Sequence, residues 1–260
     1  MKARIGFIGT GVITEAMVTG LLASPAEPLE IIVSARNEAV SSRLAAAYPQ
    51  VLVSQSNQQI IERADTVVLA IRPQVAESVI RALVFRPGQK IISVIAATPR
   101  ASLAQWVNEQ VDIVQAIPLP FVAQRTGVTA IYPPSLEVAA LFNQLGRAVE
   151  CETKVEYDLL AAASALMSTY YGVLHGAVSW LAAQGLPSDK ARDYISHMSV
   201  ALSDAALSRE PASFGELSTA YATPGGLNEQ VLREFKHHGG ERALHLALDQ
   251  VIKRIRCISD

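Results

Sequence analysis

The sequence predicts an α/β protein in two parts, a doubly wound parallel sheet followed by an all-helical domain. Three observations predict it. Apolar runs of strand length alternate with helical stretches as far as Cys151. No strand-like run survives after Val155. A glycine-rich turn stands between the first apolar run and the first helix.

The first element is Arg4-Ile5-Gly6-Phe7-Ile8, and Gly9-Thr10-Gly11-Val12-Ile13-Thr14 follows at once. A helix is expected over 15–22, with Ala16, Met17, Leu21 and Leu22 on one face. Strand, glycine turn and helix form the context of a dinucleotide fingerprint. Gly9 permits the tight turn, and Gly11 leaves room for a pyrophosphate at the helix N-terminus. The third glycine is replaced by Thr14, which is still small enough for close helix–strand packing. Gly9, Thr10, Gly11, Val12 and Ile13 are therefore candidate cofactor contacts, and the first part is expected to be a Rossmann domain.

Residues 29–34 form the second strand, and the chain then reads Ser34-Ala35-Arg36-Asn37. An acid at this place would bind a ribose 2′-hydroxyl and repel a 2′-phosphate. Arg36 can clamp a 2′-phosphate, and Ser34 and Asn37 can donate to it. This predicts NADP rather than NAD, the alternative being that Arg36 is a solvated loop charge. A helix over 38–47, a strand over 51–53 and a helix over 58–63 capped by Asn57 come next. Residues 65–71 are a continuous apolar strand, the pattern of a parallel strand covered on both faces. Ala70, Arg72 and Pro73 at its carboxyl end are candidate cofactor-edge residues. After a helix over 75–83 and a turn at 86–88, the strand 90–95 ends in Ala96-Ala97-Thr98-Pro99. Small residues there, Ala96 first, would let the nicotinamide half lie close to the backbone. Ser102 is expected to cap a helix over 103–107. Strands over 112–117 and 128–132, a helix over 137–145 and an edge strand over 147–151 complete the sheet.

The remainder is helical: 159–167, 170–184, 190–206 capped by Ser188, 214–220, 227–236 and a last helix to about residue 256. The earlier of these helices carry few charges, too few for free surface helices, so they belong to a core or a subunit interface.

Composition agrees. The chain has 260 residues, enough for one large domain or two modest ones. Only 18% of them are charged, below the usual quarter or so, which again points to surface buried between subunits. A net charge of −2 without a basic run gives no footprint for nucleic acid. No apolar stretch approaches roughly eighteen uncharged residues, so no membrane span is expected. The chain enters a strand directly, which predicts no signal peptide. Cys151 and Cys257 lie far apart and form no metal or disulfide pattern, so a reduced, cytoplasmic compartment is expected. The histidines form no metal pattern either. His175 sits among apolar neighbours, and His237 and His238 sit near a helix C-terminus that favours positive charge.

The chain resembles the pyrroline-5-carboxylate reductase family. The resemblance is carried by Gly6-Phe7-Ile8-Gly9-Thr10-Gly11, Ser34-Ala35-Arg36-Asn37, Leu69-Ala70-Ile71-Arg72-Pro73-Gln74, Ile92-Ser93-Val94-Ile95-Ala96-Ala97 and Thr223-Pro224-Gly225-Gly226, in the family's order. It implies a Rossmann domain over 1–152 and a helical dimerisation and substrate domain over 153–260. It implies NADPH-dependent reduction of a cyclic imino acid, pyrroline-5-carboxylate to proline, and a homodimer or higher oligomer. It also implies that the substrate lies between the nicotinamide and the helical domain, its carboxylate held by backbone N–H and hydroxyl groups.

Three segments depart from the family's pattern. Ile117-Pro118-Leu119-Pro120-Phe121 stands for Met-Pro-Asn-Thr-Pro. Ala165-Leu166-Met167-Ser168-Thr169-Tyr170 stands for Gly-Ser-Gly-Pro-Ala-Tyr. Thr223-Pro224-Gly225-Gly226-Leu227-Asn228 stands for Ser-Pro-Gly-Gly-Thr-Thr. All lie on the substrate side, so a changed substrate, or a catalytically silent relative that only binds the nucleotide, stays open.

Imine reduction needs a hydride and a proton or hydrogen bond at nitrogen. Thr223, Asn228 and Ser168 are the candidates for that place, and helix caps or interface hydrogen bonds are the alternative. Thr169, Tyr170, Gly225 and Gly226 are the candidates for holding the substrate, the two glycines through N–H groups that no Cβ shields.

Overall fold

The structure, a computed structural model, describes residues 3–25, 28–107, 110–208 and 213–257. Its contacts divide the chain into two units, Met1–Ala161 with Ile252–Asp260, and Ala162–Val251.

The first unit opens with β1 (Ala3–Ile8), α1 (Val12–Ala23), β2 (Leu29–Ser34), α2 (Glu38–Ala47), β3 (Val51–Ser54) and α3 (Asn57–Arg63). It returns through β4 (Thr66–Leu69), α4 (Pro73–Arg81), β5 (Lys90–Ser93), α5 (Arg100–Val107) and β6 (Asp112–Pro118). A 3-10 turn (Pro120–Gln124) leads to β7 (Gly127–Tyr132), α6 (Leu136–Asn143) and β8 (Gly146–Glu150). Together they make one eight-stranded sheet in the order β3-β2-β1-β4-β5-β6-β7-β8. The chain winds outward from β1 to β3, then restarts on β1's other flank with β4. The strand order reverses beside β1, and in open α/β sheets ligands bind beyond the carboxyl ends at such a point.

Alternate residues of the central strands feed opposite faces. Phe7, Val33 and Val68 join Met17, Leu21, Val114 and Phe142 on one side. Ile8, Ile32 and Leu69 join Ile60, Ile80, Ile91 and Leu103 on the other. Both faces are apolar because helices cover both, so these strands read as unbroken apolar runs.

The sheet departs from the expected parallel arrangement at one edge. β7 runs antiparallel to β6, and β8 parallel to β7. The physical reason is the short connection. A parallel return needs a crossover of about a dozen residues or more, and only the 3-10 turn and its flanks join these strands. That turn packs on α1. Three expected caps are also corrected. Asn57 is the first residue of α3, behind Ser56, which makes no side-chain cap bond. Ser102 lies inside α5, because the helix begins at Arg100. Ser188 is the first residue of α9 (Ser188–Ser208) rather than its cap.

α7 (Lys154–Ser164) leads out of the sheet, and α8 (Leu166–Ala183), α9, α10 (Phe214–Tyr221), α11 (Leu227–His237) and α12 (Gly240–Cys257) follow. The second part is thus helical, as expected. The break between α7 and α8 falls at Ala165, three residues before the predicted one. α10 starts with a full capping box between Ser213 and Glu216. α8 packs on α9 but buries none of its own residues within the chain.

One close joint of the first unit is Gly20 on α1. A Cβ there would run into the Val122 carbonyl and stand 2.6 Å from Leu145 Cδ2. Gly20→Ala is expected to lower stability by about 1–3 kcal/mol in urea unfolding, the range for overpacking. An unchanged midpoint would show that the 3-10 turn can retreat.

Candidate functional site

The carboxyl edge of β1 is held by hydroxyl groups. Gly9 has φ +99 and would press a Cβ onto the Ala70 carbonyl, so only glycine fits. Its N–H donates to Ser34 Oγ at 3.1 Å. Thr10 Oγ1 donates to the Ser34 carbonyl at 2.6 Å and lies 3.0 Å from Ser34 Oγ. The single Thr10 proton is taken by the carbonyl, so Ser34 is the donor between the hydroxyls. Thr14, fully buried, donates from Oγ1 to the Gly9 carbonyl at 2.7 Å. Ala70 donates its N–H to the Ile8 carbonyl at 2.8 Å. Both backbone groups of Gly9 are therefore satisfied inside the protein.

Gly11 differs. It is the N-cap of α1, with no side-chain cap bond. A Cβ on it would meet nothing within 4 Å. Protein packing does not require this glycine, and the space beside it is open. The α1 N-terminus beside it suits a phosphate. Glu15 in the first turn would oppose one, but Arg43 Nε donates to Glu15 Oε1 at 2.7 Å. That hydrogen bond holds the Glu15 carboxyl below its ordinary range, and the ion pair screens its charge. Val12 is exposed and Ile13 half-buried at the start of the helix.

Beyond β2, Ser34, Ala35, Arg36, Ser54, Gln55 and Asn57 line a polar depression. Arg36 is exposed and pairs with no carboxylate among the described residues. Asn37 is the N-cap of α2, exposed, with no side-chain cap bond. Ser34 has a different task from the predicted one. It is buried, and its hydroxyl is committed to Gly9 and Thr10 rather than free for a phosphate. Ser54, Gln55 and Asn57 were missed. Their signal was topological, since β3 lies beside β2 and ends on the same edge.

Arg72 and Pro73 are exposed at the first turn of α4, with Arg72 as N-cap and Pro73 preset for the helix. After β5, Ala96 and Ala97 are exposed and Thr98 is buried. Ala97 has φ +50, a left-handed conformation for a residue with a Cβ. Gln115, buried on β6, donates from Nε2 to the Thr98 carbonyl at 2.8 Å. Neither Ala97's strain nor this hydrogen bond can be seen in a linear sequence.

In the helical unit, Ser168, Thr169 and Tyr170 lie exposed in the first turns of α8, not in a break between helices. The loop Thr223 to Asn228 is built as a helix start. The Gly226 N–H donates to the Thr223 carbonyl at 2.8 Å. The Gly225 N–H donates to the Glu229 carboxylate at 2.6 Å, and Asn228 Nδ2 donates to the Tyr221 carbonyl at 2.9 Å. The two glycine N–H groups expected to meet a substrate anion are thus engaged inside the loop. Glu229, from the helix's own first turn, supplies the anion. Among the described residues, no three His, Cys, Asp or Glu gather as a metal site, and no helix is long and apolar enough to cross a membrane.

Comparison with known proteins matches two family models in chain order. Residues 4–97 match NADP oxidoreductase coenzyme F420-dependent, and residues 157–258 match pyrroline-5-carboxylate reductase dimerisation. A pyrroline-5-carboxylate reductase from Pseudomonas aeruginosa is 27% identical over 96% of this chain and 95% of its own length. The structure of a pyrroline-5-carboxylate reductase from Coxiella burnetii superimposes with a TM-score of 0.88 at 21% identity, covering 100% of both chains. A pyrroline carboxylate reductase from Plasmodium falciparum, solved with NADP bound, superimposes with a TM-score of 0.82 at 15% identity over 99% of this chain and 98% of its own. At these identities the structural matches establish the fold.

Gly9 and Gly11 are separable by experiment. Gly11→Ala is expected to fold with an unchanged melting temperature, since its Cβ meets no protein atom, and to weaken dinucleotide binding roughly tenfold or more. Calorimetric titration and thermal unfolding of the same sample check both halves. Undiminished binding would remove the turn from the site.

Proposed function

The chain belongs to the pyrroline-5-carboxylate reductase family, and on that premise we propose that it reduces a cyclic imino acid with NADPH, pyrroline-5-carboxylate to proline being the first candidate. It is an NAD(P)H-dependent oxidoreductase. The observation that carries the proposal is the turn at the β1 edge, in which Gly9 is demanded by the backbone and Gly11 leaves open space at the start of α1. The family relatives match along nearly their whole length, which favours an enzyme over a silent nucleotide-binding relative.

The proposed division of labour assigns 1–152 to the dinucleotide and 153–260 to dimerisation and substrate. Gly11 and the first turn of α1, with Val12 and Ile13, face the pyrophosphate. Gly9, Thr10 and Ser34 shape that turn. Arg36 and Asn37, with Ser54, Gln55 and Asn57 nearby, receive the 2′-phosphate. Ala70, Arg72, Pro73 and Ala96 line the remaining cofactor edge. When bound, the nicotinamide supplies the hydride for the C=N carbon. Ser168, Thr223 and Asn228 are proposed to hold or protonate the nitrogen, and Thr169 and Tyr170 to hold the acid, joined by Gly225 where the substrate carboxylate displaces Glu229 from its N–H. A homodimer through the helical unit is supported by the exposed apolar side chains of α8, where Tyr171 is 61% and Trp180 64% exposed in the single chain.

Arg36→Ala is expected to weaken NADPH by the value of a charge-assisted contact, about 1.5–3 kcal/mol, and to leave NADH unchanged. Fluorescence titration of both cofactors decides it, and equal effects on the two would sink the NADPH assignment.

Activity is tested by following NADPH oxidation with pyrroline-5-carboxylate and with the same ring lacking its carboxylate. Turnover of the acid, and none of the bare imine, is expected. Glu229→Ala is expected to lower KM for the acid, because it releases the Gly225 N–H, at a cost to the helix of about 0.3–1 kcal/mol. A KM that stays put would remove Gly225 from carboxylate binding.

A further inference from the structure

Four hydrogen bonds shape the segment between β5 and α5. Ile95 N–H donates to Ser93 Oγ at 3.4 Å, and Thr98 Oγ1 donates to the Ala96 carbonyl at 3.2 Å. Arg100 Nε donates to the Ile113 carbonyl at 2.9 Å, and Gln115 Nε2 donates to the Thr98 carbonyl at 2.8 Å. The last two tie the segment to β6 from its far side. Between them the backbone makes a left-handed turn at Ala97, φ +50. Alanine opposes that conformation because its Cβ crowds the carbonyl. A strained residue of this kind persists only where its surroundings over-determine it.

Gln115 is itself expensive. It is 3% exposed, in a strand otherwise built from Ile113, Val114, Ala116 and Ile117. Its Oε1 has no hydrogen-bond partner among the described residues. An apolar side chain of the same shape would remove that orphan acceptor but would leave the buried Thr98 carbonyl without this donor. What the amide gives in return is the one donor beneath Thr98. Thr98 is buried, while Ala96 and Ala97, one step along the same turn, are exposed. This turn lies beyond the carboxyl end of β5, which pairs with β4, which pairs with β1. That edge is where an open α/β sheet binds its ligand.

We propose that Gln115 is a positioning residue for the nicotinamide half of the cofactor. By gripping the Thr98 carbonyl it holds the Ala96-Ala97-Thr98 backbone in the left-handed turn against which that half lies. The inference rests on the NADPH reading above. It deepens that reading by naming a residue that touches no ligand.

The test compares wild type, Gln115→Met and the double variant Gln115→Met with Ala97→Gly. Each is titrated with NADPH and with adenosine 2′,5′-bisphosphate, which carries only the adenine half, and is melted alongside. Gln115→Met keeps the shape and loses the donor. It is expected to bind NADPH about tenfold more weakly and to bind the bisphosphate within about twofold of wild type, while melting somewhat lower because the Thr98 carbonyl loses its donor. Ala97→Gly removes the Cβ that opposes the turn and is expected to recover most of the lost NADPH affinity. Unchanged NADPH affinity in Gln115→Met overturns the inference. So does a parallel loss for both ligands, which is what a purely structural role would produce. Wild-type protein that binds neither ligand overturns the NADPH reading, and the inference with it.

Discussion

The turn after β1 must bring a helix N-terminus to the sheet's carboxyl edge while leaving no buried backbone group unpaired. Three side-chain hydroxyls meet that constraint. Ser34 takes the Gly9 N–H, Thr14 supplies the Gly9 carbonyl, and Thr10 ties the turn to the end of β2. An unpaired buried backbone group costs about 1–3 kcal/mol, so two left open would rival the margin by which a domain is stable. With the base of the turn satisfied by the protein itself, what remains on its outer side is open backbone at Gly11 and the end of α1. The strand order reverses beside this turn, and both hydrophobic clusters meet β1 through Phe7 and Ile8. The position of the turn is therefore set by the whole sheet.

Much of this was legible in the sequence. The apolar runs gave the strands because a doubly wound sheet buries both faces, and the end of those runs marked the helical second part. Strand direction was not legible. A continuous apolar run reads the same either way, and only the short link through Pro120–Gln124 settles that β7 reverses. Caps misled where a polar residue stood near a helix start without capping it, as with Asn57, Ser102 and Ser188. Helix ends shift by a residue or three with little change in pattern. Such a shift moved Ser168 and Thr169 from a supposed break into the first turn of α8.

The site divides in the same way. Gly9 and Gly11 announce themselves because glycine at fixed offsets has a backbone cause. Arg36 was visible because an acid was missing where one is usual. Ser34 was placed at the right strand end but with the wrong partner, since a hydroxyl's partner depends on what lies 24 or 25 residues away in sequence. Thr14 looked like a weakened glycine position, whereas its hydroxyl closes the turn. Glu229 could have been suspected from its place in the first turn of α11, three residues after the N-cap Gly226.

The two loops at the carboxyl edge follow opposite physical designs. At β1 the Gly9 N–H and carbonyl are both paired and the one left-handed residue is glycine, so the turn is held without strain. At β5 the left-handed residue is alanine, and the side chain restraining it keeps an unpaired buried oxygen. Strain of this kind would be relieved by Ala97→Gly, a single substitution, whereas an apolar residue at 115 would trade the orphan oxygen for an unpaired Thr98 carbonyl. A chain concerned only with stability has easy access to the glycine. Their joint presence on one edge locates the constraint there in the shape of the backbone, because shape is what both costs maintain. The rigid loop suits a group that is bound tightly and alike in every turnover. The restrained, strained loop suits the place where geometry toward a reacting ring must be held to a fraction of an ångström.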